Sequence, residues 1–231
     1  MKKLSWALSK RNLALLLLLV IALSATAFNV WKLSHGSVVK APADIEDYLF
    51  WQARELTDFK LKGADNKTLG LNDLKGKWSF IFFGYTHCPD VCPLTMGVLG
   101  QAFKLLEKNQ AVFPEIQGIF VSVDPKRDTP ESLKEYVSFF NAKFIGVTGS
   151  TAELDDFSRQ MSALYTIHPK EPDKSGDNYL VSHNATVFLV NPQGKLHGRF
   201  PPPQSSQEIA EIFMKIRAFY NERSNKRWVF F

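Results

Sequence analysis

Residues 78–85 read WSFIFFGY, and this run leaves few options for the fold. Its short length and bulky apolar side chains are typical of a β-strand that is buried on both faces. Residues 116–123 form a second run of this kind. Between the two runs, apolar residues recur at helical intervals: Val98, Leu99, Ala102, Leu105 and Leu106. Two buried strands joined by a helix indicate parallel strands in an α/β fold.

Capping patterns predict further helices. They occur at three places: Thr129 before Pro130, Ser150 with Glu153, and Ser205 with Glu208. In each, a Ser or Thr side chain can accept a hydrogen bond from a free amide of the first helical turn. The helix that follows Ser150 is predicted to reach about Leu164, and the helix that follows Ser205 presents an apolar face.

Shorter strands complete the pattern. We predict a hairpin that starts near residue 59 and turns at residues 63–66, a strand at residues 145–148, and two strands at residues 186–190 and 196–200. The turn between the last two is short enough to make them antiparallel. This order of elements predicts a thioredoxin-like α/β sandwich, in which a central mixed sheet is flanked by helices.

The N-terminal segment predicts a membrane helix. An uncharged apolar run covers residues 13–28, and Val30 and Trp31 extend it to 19 residues, close to the roughly 20 that a spanning helix needs. Four basic residues precede the run, which favours a cytoplasmic N-terminus and a periplasmic domain of a single-pass inner-membrane protein. A cleaved signal peptide is the alternative, because residues 25–27 fit the small-x-small cleavage pattern.

The predicted organisation has four parts. Residues 1–31 form the cytoplasmic tip and anchor, residues 32–55 a linker, residues 56–220 the thioredoxin-like domain, and residues 221–231 a C-terminal tail. The net charge of +5 belongs to the first part: residues 1–40 hold six basic residues and no acidic one, which leaves 22 basic against 23 acidic residues in the rest. A domain of this balance has no basic stripe for nucleic acid, so we expect no nucleic-acid partner.

The two cysteines carry the chemistry. Cys88 and Cys92 follow the first buried strand in GYTHCPDVCPLT, at the sheet edge where α/β proteins place their sites. A helix that begins near Cys88 would offer unpaired amides that favour thiolates and would put both sulfurs on one side. Export would place the pair in an oxidising compartment. A passive disulfide is disfavoured because so short a loop removes little chain entropy. The pair therefore predicts a site for a soft metal or for dithiol redox chemistry.

Three segments of the sequence, in the same order along the chain, resemble a known family. FFGYTHCPDVCPLT, VSVDPKRDTPE and YLVSHNATVFLVNPQG resemble, in this order, the Sco/SenC family of copper-binding, thioredoxin-like proteins. The resemblance implies a membrane-anchored domain that binds one copper ion and serves assembly of the binuclear copper centre of cytochrome c oxidase. It also implies that Cys88, Cys92 and His183 are the metal ligands. Many relatives have Asp before this histidine, whereas this chain has Ser182, so the hydrogen-bond partner of the imidazole stays open.

The donor set independently favours copper. Two thiolates suit Cu(I), and an added imidazole can also stabilise Cu(II). Zinc is the competitor, but structural zinc sites use four protein ligands, so zinc would need a water or Asp90 here.

Other residues are weaker candidates. His87 adjoins Cys88, but neighbouring side chains on a turn usually diverge, and Met96 is interpreted as core filler. His35, His168 and His197 are interpreted as surface residues. Asp124, Arg127 and Asp128 follow the second strand and either form a local cap and ion pair, or tune the site and contact a partner. Residues 170–178 form a flap or an ordinary loop, and the tail either packs on the domain or marks a contact surface.

These features support one main hypothesis and two rivals. The main hypothesis is a copper metallochaperone whose partner is the copper-bearing subunit of cytochrome c oxidase; the sequence identifies neither its copper donor nor its thiol reductant. The first rival is a thiol–disulfide oxidoreductase, in which Cys88 and Cys92 are catalytic and His183 is not needed as a ligand. The second is a peroxiredoxin-like peroxidase, which is disfavoured because the Pro-x-x-x-Thr-x-x-Cys pattern is absent.

Overall fold

The computed structural model describes residues 10–34, 40–65, 67–109, 111–112, 115–168 and 179–228. Contacts divide the chain into two compact units, Met1–Lys40 and Ala41–Phe231. The helices are α1 (Lys10–Ser34), α2 (Leu71–Leu74), α3 (Val91–Glu107), α4 (Pro130–Phe140), α5 (Thr151–Met161) and α6 (Ser206–Trp228). The strands are β1 (Leu49–Glu55), β2 (Lys60–Gly63), β3 (Thr68–Gly70), β4 (Trp78–Gly84), β5 (Ile116–Ser122), β6 (Phe144–Thr148), β7 (Tyr165–His168), β8 (Leu180–His183), β9 (Val187–Val190) and β10 (Lys195–Phe200).

The first unit contains α1, which confirms the predicted apolar helix. Its segment Asn12–Trp31 has 20 residues and a mean hydropathy of 2.5, enough to cross a membrane by length and composition. Its polar side chains bond back to the helix, as when Ser24 Oγ donates to Ile21 O over 2.9 Å and Asn29 Nδ2 to Ala25 O over 2.9 Å. Such bonds satisfy polar groups in lipid. A signal sequence has the same length and composition, so both predicted alternatives fit this helix.

The second unit is built on an eight-stranded mixed sheet in the order β1-β10-β9-β4-β5-β6-β2-β3. β4, β5 and β6 are parallel neighbours, and all other pairs are antiparallel. All seven residues of β4 and of β5 are buried, which confirms the interpretation of both apolar runs. The predicted hairpins β2–β3 and β9–β10 are confirmed as well.

Helices cover both faces of the sheet. Phe80 of β4 packs on Phe103 of α3 and Phe213 of α6, with ring centroids 5.3 and 5.0 Å apart. Phe83 points to the opposite face and packs on Phe157 of α5 at 5.6 Å. The predicted caps are present, since Thr129 Oγ1 accepts from Ser132 N, Ser150 Oγ from Glu153 N, and Ser205 Oγ from Glu208 N.

The structure corrects the predicted linker over residues 32–55. Its last seven residues form β1, which pairs antiparallel with β10 at the edge of the sheet. The strand escaped detection because its edge position leaves no side chain fully buried, so the apolar alternation is weak. At the other end, α6 continues past residue 220 into the predicted tail and reaches Trp228.

The region after α5 also differs from the prediction. The helix ends at Met161 rather than near Leu164, because Ser162 adopts a left-handed conformation with φ of 57°. β7 and β8 follow and pair antiparallel in a separate two-stranded sheet, which we call the histidine ribbon. Neither strand was predicted, since between them they have one buried side chain and carry little apolar signal. The predicted flap over residues 170–178 lies outside the described residues.

Candidate metal centre

The cysteine loop, defined as residues 85–92, connects β4 to α3. The helix begins at Val91, three residues later than a start at Cys88 would require, so Cys88 lies in the loop and Cys92 in the first helical turn. The Cys92 amide donates to Cys88 Sγ over 3.5 Å. An amide of the helix N-terminus therefore faces the first sulfur, as the sequence predicted. Both thiols are free in this structure.

The third side chain, His183, lies at the end of β8. Its Nε2 is 3.1 Å from Cys92 Sγ, although the two residues are 91 positions apart. The possible ligand atoms of Cys88, Cys92 and His183 all lie within 4.8 Å of one another. Among the described residues this is the one group of three or more such side chains. The tertiary structure thus brings together the three residues that the resemblance implies.

The orientation of the imidazole suits a metal ligand. His183 Nδ1 is 3.2 Å from the backbone O of Asn184, a bond that leaves the Nε2 lone pair directed at the cysteines when Nδ1 carries the proton. Phe82 and Tyr85 hold the ring at centroid distances of 5.7 and 6.0 Å. Burial lowers the pKa of His183, which favours the neutral, ligating form.

The hydrogen-bond partner of His183 is therefore a main-chain carbonyl. Ser182, which stands where many relatives carry Asp, instead places its Oγ 2.9 Å from His168 Nε2. The departure at Ser182 leaves His183 oriented, because the Asn184 carbonyl accepts from the ring. The main-chain carbonyl of Asn184 thus takes the place of a carboxylate as the hydrogen-bond acceptor for His183 Nδ1.

Cys92 differs from the sequence expectation. Its side chain is fully buried, and burial is the main cause that raises the pKa of its thiol, opposed by a backbone hydrogen bond from Tyr85. The expectation that the helix N-terminus favours the thiolate is therefore wrong for Cys92 without a metal, since desolvation outweighs the helix amides. A bound cation would reverse this balance by taking the place of the proton.

Gly84 makes room for the buried sulfur. A Cβ at this position would lie 2.7 Å from Cys92 Sγ and 2.9 Å from a ring carbon of Phe120. Any larger residue would displace one of these neighbours. Sequence reasoning missed this requirement, although the glycine at the end of an otherwise bulky strand is a signal for close approach.

The other described histidines, His87, His168 and His197, are not part of this group. His87 is exposed, with Nδ1 3.1 Å from Thr86 Oγ1 and 3.6 Å from Asp128 Oδ1. His168 is exposed on β7, whereas His35 lies outside the described residues. The interpretation of His197 as a surface residue is wrong. Its ring packs on Trp78 of β4 at 5.5 Å and on Tyr220 of α6 at 5.6 Å, two segments that the fold brings to β10.

The other predicted candidates fall in two classes. Met96 is buried in the core, as expected for a gap filler. Asp90, the possible fourth ligand for zinc, is exposed at the N-cap of α3 and is not in the group of ligand atoms. Among the described residues, the structure therefore offers three protein ligands.

The acidic loop after β5 supports the cysteine loop. Asp128 is buried and accepts bonds from the Thr86 amide at 2.9 Å and from Ser122 Oγ at 2.5 Å. Asp124 is also buried and accepts from Arg127 Nε at 2.5 Å and from the Tyr179 hydroxyl. Both carboxylates thus have partners within the fold, and the loop links the cysteine loop to the residues just before β8.

Comparison with known proteins identifies the family. A family model described as SCO1/SenC matches residues 51–218. The chain belongs to the SCO1/SenC family. Protein sco1 of Schizosaccharomyces pombe is 35% identical over 156 residues, which are 68% of this chain and 57% of that protein. The SCO2-like protein RC0895 of Rickettsia conorii is 34% identical over 156 residues, 67% of this chain and 73% of that protein. This chain therefore spans little more than half of the yeast relative.

Solved Sco structures share the fold. Arabidopsis thaliana ScoI, crystallised with copper bound, is 32% identical with a TM-score of 0.63 and covers 70% of this chain and 98% of its own. The predicted thioredoxin-like mixed sheet flanked by helices is thereby confirmed. BsSco, 23% identical with a TM-score of 0.55, has the same fold over 72% of this chain and 94% of its own and is a member of the Sco family of cytochrome c oxidase assembly proteins.

Proposed function

We propose that this protein is a membrane-anchored copper metallochaperone that assists assembly of the binuclear copper centre of cytochrome c oxidase. The observation that carries the proposal is the convergence of the Cys88, Cys92 and His183 ligand atoms within 4.8 Å. Copper is the cargo, held by Cys88 and Cys92 as thiolates and by His183 through Nε2. Family membership supports the same reading, since ScoI of Arabidopsis thaliana binds copper in its crystal structure.

The donor set favours copper over zinc. Two sulfurs and one imidazole make a soft, three-coordinate site that suits Cu(I) and can also bind Cu(II). Structural zinc sites are closed by four protein ligands, and the described residues supply three. Cys92 is fully buried, and a cation that binds there would displace one proton per thiol.

Low coordination also suits a protein that passes its metal on. Cys88 lies at the border of the surface with 9% of its area exposed, whereas Cys92 is fully buried. A target's ligands can therefore approach the metal from the side of Cys88 and replace the three protein donors one at a time. The copper-bearing subunit of cytochrome c oxidase is the proposed acceptor, and α1 would keep the domain at the periplasmic face of the inner membrane.

The redox state of the two cysteines would control whether the protein can bind copper. When a partner's disulfide is reduced to two thiols, Cys88 and Cys92 lose two electrons and two protons and form an Sγ–Sγ bond. That bond removes both sulfur ligands at once, so the oxidised protein cannot hold copper. A reductant that restores the dithiol would reopen the site.

The deciding experiment is titration of the reduced full-length protein in detergent with Cu(I), Cu(II) and Zn(II). We expect about one equivalent of copper per chain and loss of binding in Cys88→Ser and Cys92→Ser. His183→Ala should weaken Cu(II) more than Cu(I), because imidazole matters more to the harder ion. His168→Ala, a histidine of the same ribbon outside the group, is the matched control. Absence of copper binding, or binding unaffected by His183→Ala, would overturn the proposal.

A second function uses the same pair of thiols. The two free cysteines stand close together, and Cys88 keeps 9% of its area exposed whereas Cys92 is fully buried, as a thiol–disulfide oxidoreductase for the oxidase's copper-binding cysteines would need. This enzyme would not need His183 as a ligand. Reduction of a disulfide peptide by the copper-free protein, at a rate unchanged in His183→Ala, would favour the enzyme over the metallochaperone.

A further inference from the structure

The histidine ribbon has no main-chain ladder to the rest of the domain. Among the described strands, β7 and β8 bond only to each other, whereas the other eight form one continuous sheet. His183 therefore owes its position to side-chain contacts and to the three-residue connection that joins β8 to β9 of the main sheet. These contacts must be strong enough to hold a four-residue strand that has one buried side chain, Val181.

A cluster around Arg127 supplies such contacts. The guanidinium lies over the Tyr179 ring, with Cζ 3.7 Å from the centroid, and its Nη1 donates to Tyr179 O over 3.2 Å. Its Nε donates to Asp124 Oδ2 over 2.5 Å, and the Tyr179 hydroxyl donates to the other oxygen of Asp124. Arg127 and Asp124 thus bind both the side chain and the main-chain carbonyl of Tyr179, the residue that precedes β8.

The same arginine also reaches the ring that supports the imidazole. Its Cζ is 5.6 Å from the centroid of Tyr85, and Tyr85 packs edge-on against His183 at 6.0 Å. A backbone hydrogen bond links Val181 of β8 to the Tyr85 hydroxyl. Arg127 therefore contacts Tyr179, which directly precedes β8 of the histidine ribbon, and Tyr85, which lies in the cysteine loop and packs on His183.

Burial makes this cluster strong. The Arg127 and Asp124 side chains are 13% and 1% exposed, so their charges are weakly screened and their hydrogen bonds are charge-assisted. A guanidinium stacked on an aromatic face gains most when it is desolvated. Lysine keeps the charge but lacks the planar fork that makes these contacts together.

We infer that Arg127, with Asp124 and Tyr179, is a positioning residue that holds His183 against the cysteine pair and so sets how strongly the site prefers Cu(II). The consequence for copper rests on the proposed function, whereas the hold on β8 does not. In an intact cluster the imidazole stays within reach of the metal. When the cluster is broken, β8 is free to move away and leaves a two-sulfur site that retains Cu(I).

The first test uses the full-length, copper-free protein in detergent. Amide hydrogen exchange is measured at residues 181–183 and in β4 for Arg127→Met, Arg127→Lys and Tyr179→Phe. We expect about tenfold faster exchange at residues 181–183 in both Arg127 variants, a smaller increase in Tyr179→Phe, and β4 rates within about threefold. Arg217→Met and Tyr48→Phe are matched controls, because Arg217 pairs with Glu115 and Tyr48 bonds Glu208 away from the site.

The second test adds Cu(I) or Cu(II) to the same variants and to His183→Ala. We expect the Arg127 variants to lose about tenfold in Cu(II) affinity, to shift the Cu(II) absorption and spin-resonance spectra toward those of His183→Ala, and to keep Cu(I) affinity within about threefold. Unchanged exchange at residues 181–183, or equal acceleration in β4, would overturn the inference. If Arg127→Met does not fold, Tyr179→Phe decides, since it keeps the stacked ring and loses only one bond. Failure of the wild type to bind copper would instead overturn the proposed function alone.

Discussion

The cysteine loop and the histidine ribbon contribute to one site from very different surroundings. The loop joins a strand with all seven residues buried to a helix that packs in the core. The ribbon has two strands of four residues, in which Val181 is the one buried side chain. Binding elements that must move are drawn from the least stable parts of a protein. We expect the cysteine loop to be the more rigid of the two regions, and the ribbon to depend on the cluster around Arg127 for its position.

The largest predicted effect is a difference in amide exchange between the two regions. Amides of β4 should exchange only through global unfolding, whereas those of residues 181–183 should exchange through local opening of the ribbon. We expect at least about a 1,000-fold difference in rate. Hydrogen exchange of the wild-type protein followed by nuclear magnetic resonance or mass spectrometry measures it. Equal rates would mean that the ribbon and the sheet unfold as one unit.

A pH experiment tests whether His197 stays buried in the main-sheet part of the domain, because burial makes the unfolding free energy depend on pH. Burial lowers the pKa of His197 to about 4 from 6.5, with a further contribution from Arg223. Between pH 6.5 and about 4, His197 is protonated in the unfolded chain but not in the folded chain. The free energy of unfolding therefore decreases as the pH falls through this range. The loss from this group is at most about 3 kcal/mol. Denaturant unfolding of wild type and His197→Phe at several pH values should show it as a difference that grows toward pH 4, and parallel curves would contradict it.

Gly84 tests how tightly the sheet side holds Cys92. Gly84→Ala would place a Cβ 2.7 Å from Cys92 Sγ, so the sulfur or the neighbouring Phe120 ring must shift. We expect a loss of about 2 kcal/mol in unfolding free energy from overpacking, together with weaker copper binding. Gly97→Ala in α3 is the matched control, because a Cβ there meets nothing within 4 Å. A Gly84→Ala protein as stable as wild type would show that Cys92 Sγ or Phe120 can shift at little cost in free energy.

The smallest effect is expected on the outer face of the histidine ribbon. Leu180 is 55% exposed and Val181 is 5% exposed. Leu180→Ala should change the unfolding free energy by less than about 0.5 kcal/mol. Val181→Ala should cost about 1–2 kcal/mol through the lost burial of two methyl groups. A larger effect at Leu180 than at Val181 would reverse the assignment of the two ribbon faces.

Elements that rest on local patterns could be predicted well. The helix starts at Pro130, Thr151 and Ser206 follow from side chains within three residues of the cap. The strand β4 follows from its bulky run. By contrast, β1 gains its structure from β10, far along the chain, and β7 and β8 gain theirs from each other; the largely exposed sequences of these three strands carry little apolar signal.

The residues of the candidate site fall into the same two groups, those predictable from local sequence and those that depend on distant packing. Cys88 and Cys92 could be located from the sequence because a buried strand followed by a helix puts them at the sheet edge. His183 was named through a family resemblance, since no spacing relates it to the cysteines. Gly84 and the grip of Arg127 on Tyr179 depend on distances between segments, and the sequence alone does not reveal them.

By itself, the sequence determined the apolar N-terminal helix, the covered parallel strands and the place of the dithiol. These features arise from periodicity, capping and composition, which act over a few residues. Only the tertiary structure decided that His183 meets Cys92 across 91 positions, that burial raises the pKa of the Cys92 thiol, and that His197 packs on Trp78 and Tyr220. All three depend on how distant segments pack rather than on the residues next to them, and at Cys92 this packing raises the pKa of the thiol through desolvation.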